Sequence, residues 1–171
     1  MRKLKLAEVI GAMFPGIQGA TPVIPDNGSM PDQVGLINAI LSQNPWPATA
    51  YNVAANTTGF TATQQQIMAA EQTYLNLTGT LGAGAALTLP TVATVLATLT
   101  PQQAQVGSTI VLRILNASGA AFAWTVTTNT GWTLNGHVAI AQNTWVDYVI
   151  QLTSIVNATA TLQSVGSGVS P

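Results

Sequence analysis

His137 and Asp147 are the residue types from which a hydrolytic triad is built, with one of the chain's many serines or threonines as nucleophile. Their setting argues against it. The chain has no Gly-x-Ser-x-Gly elbow, and its one histidine sits in an Asn135-Gly136-His137 turn. His137 therefore reads as a loop histidine. Metal chemistry has no better basis, because one histidine and five scattered carboxylates offer neither zinc spacing nor an EF-hand loop. Asp26 and Asp32 flank a turn and could contribute to a calcium site, yet capping a turn or helix explains them as well. Absence of cysteine removes thiolate ligands and disulfides, and no glycine-rich run follows a strand in the manner of a phosphate loop. Only 5% of the residues are charged, against about a quarter in ordinary domains. A chain short of both catalytic groups and surface charge reads as an assembly component, without enzymatic activity or cofactor.

The remaining charges are informative by position. Arg113 lies in the middle of an alternating segment, on the face opposite Ile110, Leu112 and Ile114. A lone cation there calls for a partner, for which Asp147 or Glu71 is suitable, and an intersubunit position is expected. Trp145 shares the face of Asp147 and Gln151, which suits an interface or ligand contact. Trp124 shares the face of Phe122 and Val126, which suits a core. Arg2, Lys3 and Lys5 concentrate three of the four basic residues at one end. They could touch an acidic surface, but three charges give weak, salt-sensitive binding, and nucleic acid is not expected as a partner. The first residues imitate a secretory signal, but Glu8 and Pro15 interrupt its apolar part, so cleavage is not expected. No apolar run is long enough to cross a bilayer.

Two kinds of sequence must position these groups. Residues 1–60 hold six of the nine prolines and read as an extended arm. The arm contains one helix, from Pro31 to Asn44, and a weaker helical stretch near Leu4 to Met13. From 61 to 171 the periodicity turns to alternation. Strands are expected over Tyr74–Thr78, Ala85–Leu89, Ser108–Asn116, Phe122–Thr127, Trp145–Leu152 and Val156–Gln163, with Gly- and Asn-rich turns between them. Pro90–Leu99 reads as a short helix, and Thr61–Ala70 as another with Thr61 or Thr63 as its N-cap. The expected fold is mainly β: an antiparallel, jelly-roll-like sandwich with one or two short helices, preceded by the arm.

Within the C-terminal part, Leu87-Thr-Leu-Pro-Thr91, a short Ala/Leu-rich helix, Gln105-Val-Gly-Ser-Thr109, Ile110 to Asn116 and Gly131-Trp-Thr-Leu-Asn-Gly136 follow one another. This succession, over about residues 61–166, resembles the β-sandwich module of tailed-phage head-decoration and head-fibre proteins. The resemblance implies a homotrimer on a virion surface, bound to the major capsid protein; the charge and hydropathy patterns leave no nucleic-acid or membrane partner expected. It also implies a capsid decoration (cement) function on the outer capsid surface. The alternative is a fibre-tip or receptor-binding module that recognises a host glycan through Trp124, Trp132 and Trp145. A secreted adhesin or surface-layer domain is a third reading.

Overall fold

The computed structural model describes residues 46–170, and these form a mainly β unit with two sheets and two short helices. The expected helices of the arm, and Arg2, Lys3 and Lys5, lie outside the described residues. In chain order the elements are β1 (Thr49–Ala54), β2 (Phe60–Thr61), α1 (Gln64–Ile67), β3 (Gln72–Leu77), β4 (Ala85–Thr88), α2 (Val92–Thr98) and β5 (Thr109–Asn116). They continue with β6 (Trp124–Thr127), β7 (Trp132–Asn135), β8 (Ala139–Ile140), β9 (Thr144–Ser154) and β10 (Thr159–Val169). The larger sheet has the order β1-β3-β5-β9-β10-β7 and the smaller β2-β4-β6-β8.

Alternation makes the strands what they are. In β5, Ile110, Leu112 and Ile114 are buried, while Thr109 and Val111 are exposed and Arg113 and Leu115 half-buried. In β9, Val146, Tyr148, Ile150 and Leu152 point the same way. Both sheets feed one hydrophobic cluster, in which Leu75, Leu112, Tyr148 and Leu162 of the larger sheet join Leu87, Trp124, Val126 and Ile140 of the smaller. Trp124 is fully buried and meets Phe60 edge-on at 5.6 Å, as its place among apolar neighbours predicts. Phe122 departs from that expectation. It precedes the strand, its N–H donates to the Ala120 carbonyl in a turn, and it is 39% exposed.

The pairing also departs from an all-antiparallel arrangement. Five of the eight strand pairings are parallel, namely β1–β3, β3–β5, β2–β4, β4–β6 and β7–β10. Alternation says which face of a strand is buried and nothing about its direction. From β1 to β6 the chain changes sheet at every step, so it re-enters each sheet after two crossings and runs the same way as before. Only β5–β9, β9–β10 and β6–β8 pair antiparallel.

Two boundaries move. β1 falls in the proline-rich segment assigned to the arm, yet it pairs with β3 along its whole length, and the compact unit begins at Pro45 rather than at 61. Strand β10 starts three residues later than expected, because Ile155–Ala158 form the β9–β10 turn with Ala158 at φ +48°. The two helices are shorter than expected: Thr61 belongs to β2 and α1 is a single turn that starts after Thr63, while α2 starts only after Thr91, so Pro90 precedes its cap. Thr63 accepts the Gln66 N–H while Gln66 Oε1 accepts the Thr63 N–H, a reciprocal capping box. Thr91 caps α2 by accepting the Thr94 N–H at 3.1 Å.

Tyr148 gives this core a pH limit. Its hydroxyl donates to the His137 carbonyl at 2.9 Å, and burial pushes its pKa up to about 12 from 10.0. The unfolded chain therefore loses the phenolic proton first. The stabilisation is complete below pH 10 and is lost as pH rises towards 12, amounting to roughly 2–3 kcal/mol at that end. Tyr148→Phe should flatten this part of the curve in urea titrations at successive pH values, at a cost near neutrality of about 1 kcal/mol for the lost bond. Equal alkaline slopes for both proteins would refute the assignment.

Candidate functional site

The outward face of the larger sheet carries the groups that the sequence singles out. Register makes Tyr51, Tyr74, Arg113, Asp147 and Gly166 successive partners across β1, β3, β5, β9 and β10. Two residues along each strand, and so on the same face, lie Val53, Asn76, Leu115, Trp145 and Gly168. These two rows cross five strands and face away from the core.

Their centre is an ion pair with two parallel bonds. Arg113 Nε donates to Asp147 Oδ1 at 2.6 Å and Arg113 Nη2 donates to Oδ2 at 2.7 Å. This fork-on-carboxylate geometry is the strong form of the interaction and fixes the plane of the guanidinium. The pKa of Arg113 is raised, chiefly by its hydrogen bond to Asp147. Aromatic rings flank the fork: the guanidinium carbon is 5.6 Å from the Tyr74 ring centre and 4.2 Å from that of Trp145. Tyr74 in turn stacks on Tyr51, with centres 4.8 Å apart and planes 21° apart. The result is a ladder of ring, ring, cation and ring across β1, β3, β5 and β9.

Trp145 can lie down because β10 has no side chains beneath it. A Cβ at Gly168 would stand 2.7 Å from the indole, and one at Gly166 3.7 Å from it. Covering strand glycines with a neighbouring aromatic recovers packing that the glycines forgo. The indole is thereby engaged by the glycines and by Arg113.

Arg113, Asp147 and Trp145 are thus brought together. Of the two carboxylates suited to Arg113, it is Asp147 that pairs with it. Sequence reasoning missed Tyr51, Tyr74, Gly166 and Gly168. Thr49–Ala54 does alternate, with Tyr51 and Val53 on one side, and that signal was available although the nearby prolines obscured it. The other candidates lie elsewhere. Trp132 is half-buried against the core, and its indole N–H donates to the Pro90 carbonyl at 2.7 Å. His137 is exposed; its N–H donates to Ser164 Oγ and its carbonyl accepts from Tyr148. Among the described residues, no three His, Asp or Glu side chains gather where they could hold a metal ion.

The face is unlike a solvated sheet surface. Tyr51 and Val53 are 77% and 67% exposed, Val111 is exposed too, and the charges in the two rows are one cation and one anion that cancel. Chemically it offers a neutral surface of rings and branched side chains. Comparison with models of known protein families, with curated proteins and with solved structures finds no match to this chain.

Proposed function

We propose that the chain is a non-enzymatic virion structural protein, a capsid decoration (cement) protein bound to the outer capsid surface as a homotrimer. The observation that carries this reading is the outward face of the larger sheet. Interface cores are enriched in aromatic residues and arginine and depleted of other charges, and this face has that composition around one neutralised pair. In this reading the two sheets are the layers of a β-sandwich knob. Its larger sheet faces neighbouring subunits, and the preceding segment, with Arg2, Lys3 and Lys5, attaches to the major capsid protein. The resemblance of residues 61–166 to decoration modules supports the same assignment.

Such a protein works by multiplicity. Each arm need bind only weakly, because three arms on one knob raise the effective concentration of the second and third contacts. The position of β1 moves the division between arm and knob to Pro45. A chain lacking residues 1–44 should therefore keep the knob and lose the capsid. Densitometry of particles reconstituted with each version should show full occupancy for the intact chain and nearly none for the truncated one. Undiminished occupancy without residues 1–44 would remove the arm from the account. The glycan-binding alternative would return only with a glycan-array signal abolished by Trp145→Ala.

A further inference from the structure

The larger sheet is open along part of β10. Strand β7 covers β10 only over Ala160–Gln163, whereas β10 continues to Val169 with β9 on its other flank. At Ser164 the flank is blocked, since its hydroxyl accepts the His137 N–H and packs against Gly136. Beyond that point Val165 and Val169 are 59% and 76% exposed. Among the described residues, no hydrogen bond outside the β9 ladder reaches 165–169.

The ladder itself says which backbone groups face outward. The Leu152 N–H donates to the Ser108 carbonyl on the β5 side, so the even-numbered residues of β9 turn their N–H and C=O groups to β5 and the odd-numbered ones turn theirs to β10. Outward direction alternates along a strand, which makes Gly168–Trp145 and Gly166–Asp147 hydrogen-bonded pairs. The N–H and C=O groups of Ser167 and Val169 therefore point away from β9, into the open edge. Proteins usually blunt such an edge with proline, lysine or another charge. None occurs between Val165 and Val169.

The segment reads Val165-Gly166-Ser167-Gly168-Val169, a palindrome centred on Ser167. We propose that this edge pairs antiparallel with the same edge of a second copy of the chain, about a two-fold axis through Ser167. An isologous contact needs a self-complementary strip, and the palindrome supplies one. Ser167 meets its own counterpart and exchanges two backbone hydrogen bonds with it. Val165 meets Val169 of the second copy, glycine meets glycine, and no like charges are opposed. Pairs of branched side chains and of hydroxyls are favourable across strands. The block at Ser164 confines the ladder to these five residues, so the contact is short and acts where copies are already concentrated. It stands apart from the three-fold assembly proposed above; where both operate, it ties one trimer to the next.

Ser167→Cys in the full chain, which has no native cysteine, reads the contact directly. Hydrogen-bonded antiparallel partners hold their Cα atoms about 5.5 Å apart, which is disulfide distance. Mild oxidation should give a covalent two-chain band about tenfold faster than Val156→Cys, an almost fully exposed position in the β9–β10 turn. Adding Val165→Lys to Ser167→Cys should slow the band at least several-fold by placing a charge on the edge. All three positions are exposed, so folding is not at stake. Equal rates for the two cysteine variants would mean random collision and overturn the proposal, as would a rate indifferent to Val165→Lys. Capsid occupancy is not read in this experiment, so its failure would leave the decoration reading untouched.

Discussion

Asn116→Asp should destabilise the protein by about 3–5 kcal/mol at neutral pH, although it exchanges one amide nitrogen for one oxygen. Asn116 is fully buried at the end of β5. Its Nδ2 donates to the carbonyls of Phe122 at 3.0 Å and Ile140 at 2.9 Å, while its Oδ1 accepts the Ser118 N–H at 3.1 Å. The amide thus ties the β5–β6 connection to β8, and the Asn116 carbonyl also accepts the Asn143 N–H of the β8–β9 turn. A carboxylate has no donor, so the buried Ile140 carbonyl and the half-buried Phe122 carbonyl would lose this partner and face a negative charge. The variant should prefer its protonated form when folded, which raises that carboxyl's pKa above the unfolded value. Its penalty should therefore shrink as pH falls towards the ordinary carboxylate range and be largest above the raised pKa. Denaturant titrations of both proteins at several pH values measure this. A loss under about 1 kcal/mol at pH 7 would show that the amide's bonds carry little.

Gly131→Ala should be comparably severe, with a loss of about 3 kcal/mol or more, for two separable reasons. Gly131 has φ +93°, where an L side chain is strained. Its added Cβ would also collide with the Ala158 carbonyl oxygen and lie 2.9 Å from Val92 Cβ. Neither neighbour is free to yield. The Gly131 carbonyl accepts the Ala160 N–H at the start of β10, and Val92 opens α2 within a small buried cluster with Leu152 and Ala160. Gly107 is the control, because it has φ +87° and nothing within 4 Å of its would-be Cβ. Gly107→Ala should cost only the conformational strain, about 1–2 kcal/mol. Thermal melts of the two variants separate strain from collision, and equal losses would mean that the crowding around Gly131 is easily relieved.

Much of the β-rich unit was legible from alternation, because burial is what alternation encodes. The inward faces of β5 and β9, the core position of Trp124 and the cap at Thr63 follow from residue types within a few positions of one another. What escaped depends on distant pairing. Parallel direction comes from the chain's repeated crossing between sheets, and no local window of β1 to β6 records it. Tyr51, Tyr74 and Arg113 are far apart in sequence and become a ladder only through register. Asn116 reads as a turn former, since Asn-Ala-Ser-Gly is turn chemistry. Its burial arises because β8 and the β5–β6 connection close over it. At the centre of the site, a carboxylate partner for Arg113 was anticipated from charge scarcity, with Asp147 and Glu71 both open, while the glycines that let Trp145 lie flat were not.

The proposed role of the outward face of the larger sheet, joining subunits into a trimer, is tested most directly by native mass measurement of the purified chain. Intact protein should appear in multiples of three 17.6 kDa chains. Asp147→Ala should return it to single chains, because Arg113 would then stand unpaired between Tyr74 and Trp145 at the interface. A single chain for the intact protein at every concentration, or a trimer indifferent to Asp147→Ala, would contradict the account.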